Sequence, residues 1–119
     1  MGRVAGRVEW VLLAYRIPRE PSTPRITVWR KLRRLGVAQI VDGLVALPLD
    51  ARTKEQLEWI ADEILESGGE ATIWVGRVGS ARQERALASR MAAGVAEEYR
   101  KVASAAREGV GDSAAPSRT

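Results

Sequence analysis

Apolar residues fall along the chain in blocks whose period switches between two and about 3.6 residues, and turn or capping residues mark the switching points. Val8 to Tyr15 is β-branched and aromatic and stops at Ile17-Pro18, which predicts a first strand. Trp10, Leu12 and Ala14 fall on one of its faces and Val11, Leu13 and Tyr15 on the other. Both faces are apolar, as in a central strand buried on both sides. Thr23-Pro24 opens a helix, with Thr as N-cap and Pro in the first helical position. Its stripe is Val28, Leu32 and Leu35, with Trp29 on the flank, and Gly36 ends it. Val37–Val41 and Leu44–Leu47 read as two strands joined by the hairpin signal Asp42-Gly43, with Pro48 as the stop.

Thr53-Lys54-Glu55-Gln56 matches a capping box before a second helix carrying Leu57, Ile60, Ala61, Ile64 and Leu65, which Ser67-Gly68-Gly69 terminates. Ala71–Val75 is the fourth strand. From about Ser80 to Glu108 there is no proline, and Leu87, Met91, Val95, Tyr99, Val102 and Ala106 make a helical stripe. One long helix is predicted there, weakened by about 1 kcal/mol at Gly94. Residues 109–119 are rich in Gly, Ser and Pro and are expected to be disordered.

The order β-α-β-β-α-β predicts an α+β, ferredoxin-like sandwich over residues 8–78, followed by a C-terminal helix over 79–108. Right-handed crossovers put both helices on one sheet face and strands one and three in the middle. The second face would then carry some of Trp10, Leu12, Leu44, Ala46 and Trp74. A monomer rarely leaves such a patch open, so the C-terminal helix, a second subunit, or both should cover it. A homodimer is therefore expected.

Composition narrows the chemistry. The 119 residues contain no cysteine and no histidine, which removes thiol redox chemistry, the usual zinc ligands and histidine acid–base catalysis. No enzyme, cofactor or metal site is expected. No run approaches the roughly 20 apolar residues of a membrane span, and no signal-peptide pattern follows the basic start, so a cytoplasmic protein without a membrane partner is the expectation. The net charge of +4 is unevenly spread. Residues 1–52 hold ten basic and four acidic side chains, whereas residues 53–78 hold two basic and six acidic. One basic and one acidic face follow.

The stretch Trp10-Val-Leu-Leu-Ala-Tyr15, then Pro24-Arg25-Ile-Thr-Val-Trp29-Arg30-Lys-Leu-Arg-Arg-Leu35-Gly36, then Asp42-Gly43-Leu-Val-Ala-Leu47-Pro48, resembles the N-terminal domain of the chromate resistance protein ChrB. Glu63-Ile-Leu-Glu-Ser-Gly68-Gly69-Glu70-Ala71 continues the resemblance, which spans roughly residues 9–76. ChrB proteins are described as chromate-responsive regulators of a chromate efflux operon. The resemblance implies transcriptional regulation or chromate resistance. The family's usual C-terminal half has no counterpart in these residues, so sensing or redox chemistry housed there is not expected of this chain.

A more distant similarity is to the small ferredoxin-fold CRISPR-associated endoribonucleases and the related PaaX regulator domain. Those nucleases carry Tyr-Asp-Ile-Pro after the first strand, with a metal-binding Asp. Here the segment is Tyr15-Arg16-Ile17-Pro18. Arginine cannot ligate Mg²⁺, which argues against that mechanism.

The candidate site is consequently a surface. Arg25, Arg30, Lys31, Arg33 and Arg34 on the first helix, with Arg16 beside the first strand and Trp29 for stacking, form the expected DNA-contacting set. Arg25, near the helix start, is also a candidate for chromate or another oxyanion, which a guanidinium can bind with two hydrogen bonds. Trp10 and Trp74 are assigned to packing, and Trp59, beside Glu58, is not expected to stack on bases. The competing reading is a homodimeric protein-interaction module without nucleic acid, whose basic helix is neutralised by the Glu-rich second helix.

Overall fold

The computed structural model describes residues 8–92, 95–97 and 99–101. The elements run β1 (Trp10–Arg16), α1 (Thr23–Leu35), β2 (Ala38–Val41), β3 (Leu44–Pro48), α2 (Ala51–Glu66), β4 (Glu70–Gly76) and α3 (Ala81–Ala88). The four strands form one sheet in the order β2-β3-β1-β4, with every neighbouring pair antiparallel. This α+β order is compatible with the ferredoxin-like sandwich and places β1 and β3 in the middle, as expected. No helix among the described residues is long and apolar enough to cross a membrane.

Two cores share β1. Its odd residues, Val11 and Leu13, are fully buried with Val45 and Leu47 of β3 beneath Val28 and Leu32 of α1 and Leu57, Ile60 and Ile64 of α2. Its even residues face the other way. Trp10 joins Ala38, Ala46, Leu87, Ala88, Met91, Ala96 and Tyr99 in a second cluster, with Leu12 packed against it. Alternation along a pleated strand makes this division automatic, because a one-residue slip would exchange the two cores.

Helix starts differ in detail from the expected ones. The N-cap of α1 is Ser22, with Pro24 still in the first turn. The capping box of α2 begins at Asp50. Its carboxylate accepts the Thr53 N–H at 2.7 Å, and Thr53 Oγ1 accepts the Asp50 N–H at 2.9 Å. Thr53 is thus the third residue of the helix, because the chain turns directly out of β3 and Asp50 is the first side chain able to cap it.

The expected single helix over 79–108 is interrupted. α3 ends at Ala88, residues 89–92 are non-helical, and helical residues resume at 95–97 and 99–101. The interruption lies where this segment meets the end of α1. The Ala92 N–H donates to the Gly36 carbonyl at 3.2 Å. Gly36 has φ +81°, and a Cβ there would stand 2.6 Å from Val95 Cγ2. Only glycine gives both the left-handed turn and this close approach. Beyond it, the Tyr99 hydroxyl donates to Glu84 Oε2 of α3 at 2.6 Å, and its ring lies 5.6 Å from that of Trp10. The expected extension to 108 and the disordered tail at 109–119 lie outside the described residues.

This second layer covers only part of its face. Trp74 was expected in a core but is 59% exposed, because β4 is an edge strand and α3 packs towards the opposite, β2 edge. An apolar groove of about 720 Å³ remains, lined by Trp10, Leu12, Ala14, Leu44 and Trp74 from the sheet and by Ala86 and Leu87 from α3.

The packing makes a direct prediction. Leu32→Ala removes a fully buried side chain from the α1 stripe and is expected to cost about 2–5 kcal/mol in urea unfolding. Ile26→Ala on the outer face of the same helix is expected to change stability by less than about 0.5 kcal/mol.

Candidate nucleic-acid interface

The expected cationic set divides into two places. Pro24 and the buried Val28 and Leu32 fix the rotation of α1 against the sheet. The i, i+3 and i, i+4 spacing then puts Ile26, Arg30, Arg33 and Arg34 along the solvent side, where all four are exposed. Arg30, Arg33 and Arg34 make no ion pair among the described residues. Lys31 lies one position round the helix and is engaged differently. Its Nζ pairs with Glu63 Oε1 of α2 at 2.7 Å. Arg34 and Lys31 also border a groove between α1 and α2 that contains Gln56 and Trp59, the latter 64% exposed.

Arg16, Arg25 and Trp29 lie instead at the end of β1. There the α1 N-terminal turn and the β2–β3 hairpin frame a cleft of about 600 Å³ lined by Tyr15, Arg16, Ile17, Arg25, Trp29, Gln39, Asp42 and Gly43. Gly43, at φ +80°, lets the hairpin close on β1. The Tyr15 N–H donates to the Gly43 carbonyl at 2.8 Å, and a Cβ on Gly43 would stand 2.6 Å from the Tyr15 carbonyl oxygen. A second concavity of about 460 Å³ shares Arg16, Ile17 and Arg25 and adds Arg19, Gly69 and Glu70. Arg25 is exposed and stands between the two hollows. Trp29 is half-buried, packing against the core while it lines the cleft.

Charges within this region are partly answered. Arg16 Nη2 pairs with Glu70 Oε1 at 3.0 Å across the β1–β4 register, with both side chains largely exposed. Such a pair is worth about 0–1 kcal/mol and exchanges readily with a competing anion. Gln39 Nε2 donates to Asp42 Oδ1 at 3.4 Å. The Asp42 carboxylate works against an anion in the cleft, and Arg25 works for one. Tyr15 reports on both. Burial raises its pKa from the ordinary 10.0, the Asp42 charge raises it further, and the Arg25 charge draws it back. Its hydroxyl is therefore a neutral hydrogen-bonding group at physiological pH.

Sequence reasoning missed Tyr15, Gln39 and Asp42 as neighbours of Arg25, because only the sheet order brings the hairpin tip to the α1 N-terminus. Trp59 was set aside on the charge of its sequence neighbour Glu58. In space it shares a groove with Lys31 and Arg34 of α1 as well as with Glu63 of its own helix.

The electrostatics are testable through Tyr15, which becomes the only phenol in a Tyr99→Phe background. Ultraviolet titration is expected to place its pKa above 10.0, higher again in Arg25→Ala and lower in Asp42→Asn. The raised pKa means the folded state holds the proton more tightly than the unfolded one. Its contribution to stability is complete below the unfolded value and disappears as pH rises through the folded value.

No curated protein matches the sequence. A crystal structure of a hypothetical protein, TT1823 from Thermus thermophilus, aligns with a TM-score of 0.43 and 22% identity, covering 62% of this chain and 84% of that one. The family model described as protein ChrB, N-terminal, matches residues 25–108, a span that includes most of α1, the hairpin, α2, β4 and α3. That match takes in more than half of the chain, and the chain belongs to the ChrB N-terminal family.

Proposed function

We propose that this chromate-resistance-associated module is a non-enzymatic regulator that contacts DNA through the solvent face of α1. The observation that carries the reading is the stripe of Arg30, Arg33 and Arg34, exposed together and without ion-pair partners among the described residues. Guanidiniums at i, i+3 and i+4 spacing meet successive phosphates and release their counterions on binding. The competing interaction module requires the α2 carboxylates to consume the basic helix, yet among the described residues only Lys31 is so engaged. Trp59 and Arg34, in the groove beside the stripe, widen the surface available to the nucleic acid.

Arg25 and Arg16 supply a second cationic point at the α1 N-terminus, where an oxyanion such as chromate could be held with displacement of Glu70. Asp42 in the adjoining cleft opposes that use and favours DNA as the main partner of the basic surface.

Gel-shift and fluorescence titrations on operator DNA test the proposal. The wild-type affinity is expected to fall steeply with salt. Arg30→Ala/Arg33→Ala/Arg34→Ala is expected to lose at least about tenfold in affinity at low salt, and its log–log salt slope is expected to drop by about one for each phosphate contact removed. Unchanged binding by the triple variant would show that α1 is not the contact surface.

A further inference from the structure

The polar side chains at the end of β1 are not the ones that plain alternation would supply. Tyr15 continues the Val11–Leu13 row of β1, on the sheet face that α1 covers. β2 is bulged between Gln39 and Val41. Gln39 pairs with Val45 of the core under α1, whereas Val41 pairs with Leu44, which lines the groove on the opposite face. Residues two apart share a face in a regular strand, so the bulge is what leaves an amide on the α1 side. Gln39, Asp42, Tyr15 and Arg25 then line one cleft of about 600 Å³ together with Trp29. The charges of Asp42 and Arg25 both reach the Tyr15 hydroxyl.

Two unlike halves adjoin here. In the cleft, Gln39 Nε2 donates to Asp42 Oδ1 at 3.4 Å, a long contact that sets a donor beside a carboxylate. A carboxylate only accepts, and with a neighbouring amide N–H it matches an edge carrying two adjacent N–H groups and then a carbonyl. The Watson–Crick edge of guanine has that order, N2–H and N1–H beside O6. Adenine, cytosine and uracil each turn an acceptor towards the second carboxylate oxygen. A tryptophan in the wall suits a flat base. The other half is cationic. The hollow of about 460 Å³ shares Arg16 and Arg25 with the cleft and adds Arg19, against the single carboxylate of Glu70. Arg16 holds Glu70, while Arg19 and Arg25 make no ion pair among the described residues. Gly68 and Gly69 in its wall carry no side chain to narrow it.

We infer that the two hollows together bind a free guanine nucleotide, with the base in the cleft against Trp29 and the phosphate beyond Arg25 in the second hollow. Asp42 accepts from N1–H and N2–H of the base, and Gln39 donates to O6. Asp42 repels a bare anion placed in the cleft. A nucleotide removes that conflict, because the carboxylate meets donors while the negative charge lies among the arginines. Both hollows fall in the range of about 300–1,000 Å³ usual for small-ligand sites. The phosphate subsite is the Arg16–Arg25 point proposed above for an oxyanion, and the inference rests on that reading there. The base subsite stands apart from it, and neither subsite uses the outer stripe of α1.

Calorimetric titration of the full chain with guanosine, adenosine and inosine monophosphates, with guanosine and with inorganic phosphate tests the assignment. Guanosine monophosphate is expected to bind at least about tenfold more tightly than adenosine monophosphate, with inosine monophosphate, which lacks the N2 amine, between them. Asp42→Asn keeps a favourable hairpin turn, Asn-Gly, and is expected to lose that preference without weakening inorganic phosphate. Arg25→Ala is expected to weaken guanosine monophosphate by at least about tenfold and to leave guanosine unchanged. Equal binding of the guanine and adenine nucleotides, or a preference that survives Asp42→Asn, would overturn the inference. Inorganic phosphate bound with no base preference would overturn it while the oxyanion reading stood. A guanosine preference that gained nothing from the phosphate would overturn both.

Discussion

The structure depends on β1 being apolar on both faces. A strand of that kind has to lie inside the sheet and between two layers, and every other element follows from meeting one of its sides. Val11 and Leu13 call for the α1–α2 layer, and Trp10 and Leu12 call for a second cover. α1 and α2 bury Val11 and Leu13 completely. α3 and the residues after it supply the second only over Trp10 and the β2–β3 side, anchored by the Tyr99–Glu84 hydrogen bond and by Gly36. The open groove and the bare β4 edge are what this unequal coverage leaves.

Burying those faces also fixes where charge can go. Val28 and Leu32 turn inward, so the remaining positions of α1 become a cationic strip. Carboxylates collect on α2, yet Lys31–Glu63 is the one contact made between the two helices' charges among the described residues. The core therefore sets the orientation of the arginines without neutralising them. A polar cleft at the end of β1 arises from the same geometry, since the hairpin tip must pass the α1 N-terminus to pair β3 with β1.

Much of this was legible in the sequence. The alternation in Trp10–Tyr15, the Asp42-Gly43 turn and the helical stripes at Val28–Leu35 and Leu57–Ile64 are local signals, and they predicted the element order and the central place of β1 and β3. Less legible were features that depend on what lies across space. Asp50 displaced Thr53 as the cap because the length of the β3–α2 turn decides which side chain reaches. The C-terminal helix breaks at 89–92 where the segment crosses Gly36, a contact between residues more than fifty positions apart. Trp74 follows the pattern of a core residue, and only the sheet order shows that it stands at an edge. The basic residues were found, but their partition into the α1 stripe and the Arg16–Arg25 cleft needed the helix rotation that the core imposes.

The central claim is that α1 presents its arginines to DNA. Amide chemical-shift mapping of the full chain during titration with operator duplex tests it most directly. The account predicts shifts concentrated along Ile26–Leu35, strongest around Arg30, Arg33 and Arg34, and reversed by added salt. Shifts absent from α1, or confined to the groove beside Trp74, would contradict it.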